Sequence, residues 1–76
     1  MKELIKYISQ SLVDDPGKVE VTEVGSGQTS VIELRVAKDD IGKIIGKQGR
    51  TAHALRDIVN AVAAKSHKRV VLEILE

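Results

Sequence analysis

The sequence predicts an α+β domain in two layers, a three-stranded mixed sheet packed on helices. Two observations lead to this fold class. The periodicity of apolar residues gives the element order αββααβ, and a helical crossover precedes the last strand, which favours parallel pairing with a right-handed connection. The first two strands form an antiparallel hairpin, so the sheet is mixed and the helices cover one face. We expect residues 1–76 to form a single small domain.

The first helix is predicted from apolar residues at helical spacing, Leu4, Ile5, Ile8 and Leu12, and it ends at Asp14-Asp15-Pro16-Gly17. Alternating residues then predict strands at 19–21 and 31–36. The segment "GSGQTS" between them is rich in turn residues, which indicates a hairpin.

Asp39 and Asp40 open a short helix, because carboxylates are favoured at the positive end of a helix dipole. A longer helix is predicted from about Gln48 to Ser66. Its apolar face consists of Ala52, Leu55, Ile58, Val59, Val62 and Ala63. The last strand, "RVVLEIL", carries Val71 and Leu75 opposite its other apolar residues, so we expect much of it to be covered on both faces.

Composition excludes several classes of protein. Without cysteine there is no disulfide framework and no thiolate metal site, which fits a reducing compartment. Charges at Lys2, Glu3 and Lys6 interrupt any apolar run long enough for a signal peptide or a membrane span. We therefore expect a cytoplasmic protein with no membrane partner.

Positive charge is concentrated in one part of the chain. Residues 1–42 carry five Lys/Arg and eight Asp/Glu, whereas residues 43–69 carry seven Lys/Arg and only Asp57 as an acid, a local net charge of +6. Such a concentration attracts polyanions. The alternative is an ordinary solvated helix face.

The positive region begins with a glycine-rich segment, "DDIGKIIGKQGRT". It is not a P-loop, because three residues instead of four separate Gly42 and Gly46 and Gln48 replaces the Mg²⁺-binding hydroxyl. A dinucleotide fingerprint also fails, since position 44 is not glycine. What remains is a Gly-x-x-Gly loop between two helices. Its bare backbone lets a sugar-phosphate strand approach, and the following helix directs its N-terminus at an anion. The alternative is a tight turn in which glycine only ends the first helix.

The segment "IGKIIGKQGRTAHAL" resembles the signature of KH domains, in which a Gly-x-x-Gly loop clamps the backbone of about four single-stranded nucleotides. The order αββααβ resembles the type II arrangement of KH domains, and the length of the chain is similar to that of small bacterial stand-alone KH proteins. From the loop and this resemblance we expect RNA-binding residues at Ile41, Lys43, Ile45, Gly46, Lys47, Gln48, Gly49 and Arg50.

The resemblance further implies a single-stranded RNA-binding protein that acts as an RNA chaperone or post-transcriptional regulator affecting cell envelope and shape. It implies a homodimer, or a heterodimer with a larger KH-containing companion. A protein-interaction module within a ribonucleoprotein complex, with little direct RNA contact, is the alternative.

The resemblance implies that the bases lie in an aliphatic groove beside the loop, as in KH domains. This is consistent with Tyr7 as the only aromatic residue, which leaves no platform for stacking bases. Ile41, Ile44, Ile45 and Leu55 are the candidates for this groove, although Ile44 and Leu55 fit an ordinary core better.

No catalytic, metal-binding or cofactor-binding residues are predicted. His53 and His67 lie fourteen positions apart with no cysteine near, and no set of nucleophile, base and orienting group can be assembled. A dimer interface is predicted on the long helix at Ala54, Ile58 and Ala61. The small side chains of Ala54 and Ala61 would let another helix approach, and Ile58 forms the apolar border of the strip. Alanine there as a simple helix former is the alternative.

Overall fold

The computed structural model describes residues 1–75, apart from the side chain of Ser26. Glu76, counted above within the predicted domain, lies outside the described residues. The predicted order αββααβ is confirmed. The elements are α1 (Lys2–Leu12), β1 (Glu20–Ser26), β2 (Thr29–Arg35), α2 (Ile41–Ile45), α3 (Arg50–Lys65) and β3 (Arg69–Leu75). Short 3-10 turns occupy Pro16–Lys18, Lys38–Asp40 and Lys47–Gly49.

The sheet is mixed, as predicted, and its strand order is β1-β2-β3. β1 pairs antiparallel with β2, and β2 pairs parallel with β3 through the crossover formed by α2 and α3. Ile32 and Leu34 in the central strand are fully buried, as expected for a sheet that packs one face on the helices. This is the α+β, two-layer fold class that the sequence predicts.

The hairpin is longer than predicted. The strands continue through most of "GSGQTS", and Ser26 pairs with Thr29, so that only Gly27 and Gln28 form the turn. Two-residue turns are the commonest hairpin connections, because their favoured types match the twist of the flanking strands. The prediction from turn-forming residues alone therefore made the connection between the strands too long.

The hydrophobic core lies between the sheet and α1, α2 and α3. Its buried members are Ile5, Val19, Ile32, Leu34, Val36, Ile44, Leu55, Val59, Ala63, Val70 and Leu72. The assignment of two residues to the core face of α3 is wrong. Ile58 is 38% exposed and Val62 is 39% exposed, because the sheet covers only the narrower stripe centred on Leu55 and Val59.

The predicted first helix is confirmed as α1, but its apolar stripe is only partly buried. Ile5 is buried, whereas Leu4 and Leu12 are exposed. Ser9, not singled out by the apolar pattern, is fully buried, and its hydroxyl has no hydrogen-bond partner within the described residues. The packed face of α1 is therefore narrower than the apolar stripe and includes one polar group.

The outer face of the sheet is not covered by the described residues. Val24, Val31 and Val71 lie side by side in register across the three strands. Val24 and Val71 remain exposed, so the prediction that β3 is covered on both faces is wrong for this chain by itself.

None of the helices in residues 1–75 has the length and apolar character needed to cross a membrane.

Candidate nucleic-acid interface

The loop begins where α2 ends. Gly46 adopts φ 76° and ψ 175°, and its N–H donates a 2.8 Å hydrogen bond to the carbonyl of Gly42. A Cβ on Gly46 would lie 2.7 Å from Cβ and 2.9 Å from the backbone nitrogen of Thr51. Both the conformation and the packing against the first turn of α3 therefore require glycine at position 46.

The second glycine of the loop differs from the first. Gly49 is left-handed (φ 75°, ψ 11°) and precedes the first residue of α3. A Cβ there would have no neighbour closer than His53 Cδ2, at 3.8 Å. The missing side chain thus leaves open surface, through which another backbone can approach.

Lys47 and Gln48 lie exposed between the two glycines. Gln48 is itself left-handed, with φ 57°, so three of the four loop residues have positive φ. Helix α3 starts immediately afterwards, at Arg50, two residues later than predicted, and runs for 16 residues. The exposed Lys47 and Arg50 side chains therefore flank the positive end of a long helix dipole.

A groove extends from the loop between α3 and β3. Its first part, about 280 Å³, is lined by Ile45, Gly49, Ala52, His53, Arg56 and Ile74. A second part, about 210 Å³, is lined by Arg56, Asn60, Arg69, Val70, Val71 and Leu72. The two parts adjoin at Arg56, and together they are called the groove below; both have aliphatic walls and cationic rims.

The peptide groups of one strand edge face this groove. The N–H of Arg69 donates a 2.7 Å hydrogen bond to the carbonyl of Gln28, on the side of β2. Peptide groups alternate in direction along a strand. Those of Val70, Leu72 and Ile74 therefore point away from β2, where β3 is the edge of the sheet, and offer donors and acceptors to a ligand in the groove.

A buried carboxylate holds α2 in place. Asp40, 2% exposed, accepts hydrogen bonds from the N–H groups of Asp14 (3.2 Å) and Asp15 (3.1 Å). Asp40 precedes α2 as predicted, but its side chain makes no capping hydrogen bond. Its hydrogen bonds go instead to a segment that is distant in the sequence. The carboxylate ties the segment after α1 to α2, and thereby to the loop.

Lys43 is engaged in the same cluster. Its Nζ lies 3.0 Å from Asp14 and 3.8 Å from Asp40. The hydrogen bond and the charge of Asp14 raise the pKa of Lys43 above its ordinary value. Within residues 1–75, Lys43 is the only cation at ion-pair distance from a carboxylate. The cations of the loop and groove are thus available to an external anion.

The structure brings together most of the predicted RNA-binding residues. Ile45 and Gly49 line the groove, and Gly46, Lys47, Gln48 and Arg50 form its loop end. Ile41 lies outside the groove lining. Ile44 and Leu55, 0% and 2% exposed, belong to the core, as their ordinary interpretation predicted.

Sequence reasoning missed much of the groove, namely Ala52, His53, Arg56, Asn60, Arg69 and Ile74. The sequence does contain a pattern that indicates the groove residues on α3. From Gly49, the positions 52, 53, 56 and 60 follow the spacing i+3, i+4, i+7 and i+11, which keeps them on one helix face. Extending the face of the loop along α3 would have identified them.

The residues predicted for a dimer interface lie elsewhere on α3. Ala54, Ile58 and Ala61 are exposed. At 100° per residue, their mean direction is about 150° from that of the groove residues. A partner bound to this strip would leave the groove open.

No group of three histidine, cysteine or acidic side chains in residues 1–75 is arranged to hold a metal ion.

An αββααβ domain with a Gly-x-x-Gly loop between two helices, beside an aliphatic groove, is a KH domain of the type II arrangement. Comparison with known proteins gives the particular family. The chain belongs to the KhpA/KhpB KH-domain family, because the model of that family matches residues 2–74.

Relatives are similar over the whole chain. The RNA-binding protein KhpA of Caldanaerobacter subterraneus subsp. tengcongensis is 53% identical over 75 residues, which cover 99% of this chain and 100% of the relative. The RNA-binding protein KhpA of Aquifex aeolicus is 53% identical, covering 100% of this chain and 96% of its own length. The Chlamydia pneumoniae protein of the same name is 51% identical, with 100% and 97% covered. No solved structure matches the chain.

Proposed function

We propose that this protein binds single-stranded RNA without carrying out chemistry on it. One observation supports the proposal above the others: the glycine loop opens directly into a groove with aliphatic walls and cationic rims. The relatives named RNA-binding protein KhpA, 51–53% identical over 96–100% of their length, support the same conclusion.

In this proposal the RNA backbone lies against the loop. Lys47 and Arg50 would neutralise phosphates, and the bare backbone at Gly49 would admit the sugar-phosphate chain. Few phosphates are contacted, so affinity is modest and strongly dependent on salt. For single strands the logarithmic slope is about 0.7 per phosphate neutralised.

The bases would lie farther along the groove. Ile45 and Ile74 provide apolar contact, and Arg56 lies at the junction of the two parts. The outward peptide groups of β3 would read the edges of bases by hydrogen bonding. Because an aliphatic wall accepts any base, discrimination would come mainly from these peptide groups and would be weak.

Further properties are proposed by family resemblance. Residues 1–76 act as one KH domain in the cytoplasm, as an RNA chaperone or post-transcriptional regulator affecting cell envelope and shape. A homodimer, or a heterodimer with a larger KH-containing companion, would supply a second groove. The location of the homodimer contact at Ala54, Ile58 and Ala61 is proposed from their exposure on α3 and not from the family. Two linked grooves raise the effective concentration and offset the low affinity of one.

The loop is tested by placing negative charge on it. Lys47→Asp combined with Gln48→Asp opposes the phosphate path and tolerates the left-handed backbone of position 48. We expect affinity for a single-stranded RNA oligonucleotide, measured by fluorescence anisotropy, to fall at least tenfold, which is about 1.4 kcal/mol.

The matched control is Lys65→Asp combined with Gln28→Asp, which changes the net charge equally. Lys65 lies about 22 Å along α3 from Arg50, and Gln28 lies at the opposite end of β2 from the loop. The control should lose much less affinity. Equal losses in the two folded double variants would show general electrostatic attraction instead of a backbone clamp.

The second candidate function, a protein-interaction module in a ribonucleoprotein complex, is favoured by one observation. Val24, Val31 and Val71 form an apolar row on the outer face of the sheet, in which Val24 and Val71 are exposed. Crosslinking in cells followed by sequencing separates the two functions. An RNA signal that the loop variant abolishes supports direct binding. A signal that Val24→Lys abolishes while binding in vitro persists supports the interaction module, because Val24 is 51% exposed and does not line the groove.

A further inference from the structure

A broader hollow of about 670 Å³ lies beyond the carboxyl end of β2 and is not part of the groove described above. Arg35, Val36, Lys38 and Ile41 line it. Val36 is buried and Ile41 half-buried, so the floor is apolar, while Arg35 and Lys38 are exposed cations at its rim. The same combination of apolar surface and positive rim characterises the groove.

The hollow adjoins the loop end of the groove. Ile41 and Ile45 lie one turn apart on the same face of α2, about 6 Å along its axis, and Ile45 lines the groove. In the sheet, Leu34 pairs with Ile74 and Arg35 with Leu75. Arg35 therefore lies one row beyond Ile74, which also lines the groove.

The charge of the rim is available for binding. Glu20 pairs with Arg35 across the β1–β2 ladder and Asp39 follows Lys38. Within residues 1–75, however, neither cation lies at ion-pair distance from a carboxylate. A guanidinium can bind a phosphate with two hydrogen bonds or stack on a base, and an ammonium adds a point charge.

We propose that this hollow binds one or two further nucleotides of the same RNA strand, beyond the roughly four that the loop and groove hold. Arg35 and Lys38 contact the added phosphate, and Val36 and Ile41 receive the base. A stacked strand advances about 3.4 Å per nucleotide and an unstacked strand advances farther. One or two nucleotides therefore span the about 6 Å between Ile41 and Ile45. This inference rests on the proposed RNA binding and assigns Ile41 to the extension.

The length of the RNA provides the test. A homopolymeric heptamer offers about four registers to a four-nucleotide site, so chance alone makes it bind about fourfold more tightly than the tetramer. If the hollow contributes, the wild-type ratio of the two affinities exceeds tenfold. The variant Arg35→Ala/Lys38→Ala should leave the tetramer affinity unchanged and reduce the ratio to about fourfold. Its salt dependence for the heptamer should flatten by about 0.7 per lost phosphate contact.

Lys65→Ala is the control, because it removes one exposed cation at the far end of α3. It should change the affinity for neither the tetramer nor the heptamer. Circular dichroism checks that each variant is folded. An unchanged ratio in the double variant overturns the proposal, as does an equal loss for both lengths, which would indicate a general field effect. Failure of the wild-type protein to bind either length overturns RNA binding itself, and this extension with it.

Discussion

Substituting three glycines of one short segment by alanine should give three different results. Gly42, within α2, has no atom within 4 Å of its would-be Cβ. Alanine is a better helix former there, so Gly42→Ala should stabilise the protein by about 0.5–1 kcal/mol. Gly49→Ala places a methyl on a left-handed residue without a clash and should cost about 1 kcal/mol.

Gly46→Ala should be far more damaging. At φ 76° and ψ 175°, the backbone lies in a region that is essentially limited to glycine, which costs about 1–3 kcal/mol for other residues. The methyl would also meet Thr51 Cβ at 2.7 Å and its backbone nitrogen at 2.9 Å, with the hydroxyl closer still. Displacing the first turn of α3 adds about 1–3 kcal/mol, as in an overpacked core.

The expected loss for Gly46→Ala, about 2–6 kcal/mol, is a large part of the about 4–11 kcal/mol available to 76 residues. Urea titration followed by circular dichroism measures all three variants. Thr51→Gly isolates the clash, because it removes two of the three contacts. In a double-mutant cycle it should recover at least about 1 kcal/mol of the Gly46→Ala loss. A Gly46→Ala protein as stable as Gly49→Ala would refute this account of the loop.

Three other changes test separate features. Ser9→Ala removes a fully buried hydroxyl that has no partner in the described residues, so it should raise the free energy of unfolding in urea titration by about 1 kcal/mol. The control Ser11→Ala, at an exposed position, should change little, and a destabilised Ser9→Ala would show that the Ser9 hydroxyl has a hydrogen-bond partner. His67, at φ 55°, follows α3 in a Schellman motif, and His67→Gly should raise stability by about 0.5–1 kcal/mol, a gain that a neutral or lower melting temperature would contradict. Ala61→Asp would bury an unpaired charge if α3 forms a dimer and should give a folded monomer in light scattering at micromolar concentration; a wild type that is already monomeric, or a variant that still dimerises, removes this helix from the interface.

Local patterns in the sequence predicted the order of the elements, the mixed sheet and the Gly-x-x-Gly loop between two helices. These properties depend on periodicity and on spacing within a few residues. The burial of Ile44 and Leu55 followed from the same patterns. The predictions failed where neighbouring elements decide the outcome. Ile58 and Val62 lie on the apolar arc of α3, yet both stay exposed while Leu55 and Val59 are buried.

Long-range contacts were beyond the reach of the sequence for the same reason. Asp40 accepts hydrogen bonds from residues 25 and 26 positions away, and nothing in "KDDIG" distinguishes this role from the start of a helix. The groove forms because the crossover sets α3 beside β3, and only the helical side of it carries a recognisable spacing. Arg69 and Ile74 have no local pattern that connects them with Gly49.

Three faces of α3 have three different roles. One face packs on the sheet through Leu55 and Val59, the face that starts at Gly49 lines the groove, and the strip containing Ala54, Ile58 and Ala61 points about 150° away from the groove. If that strip joins two copies, each groove stays open, and the grooves face away from the contact. Such a dimer binds two segments of one RNA, or two RNAs, without any competition between assembly and binding. RNA should then leave the dimerisation constant nearly unchanged for oligonucleotides too short to span both grooves, and strengthen it only for longer ones.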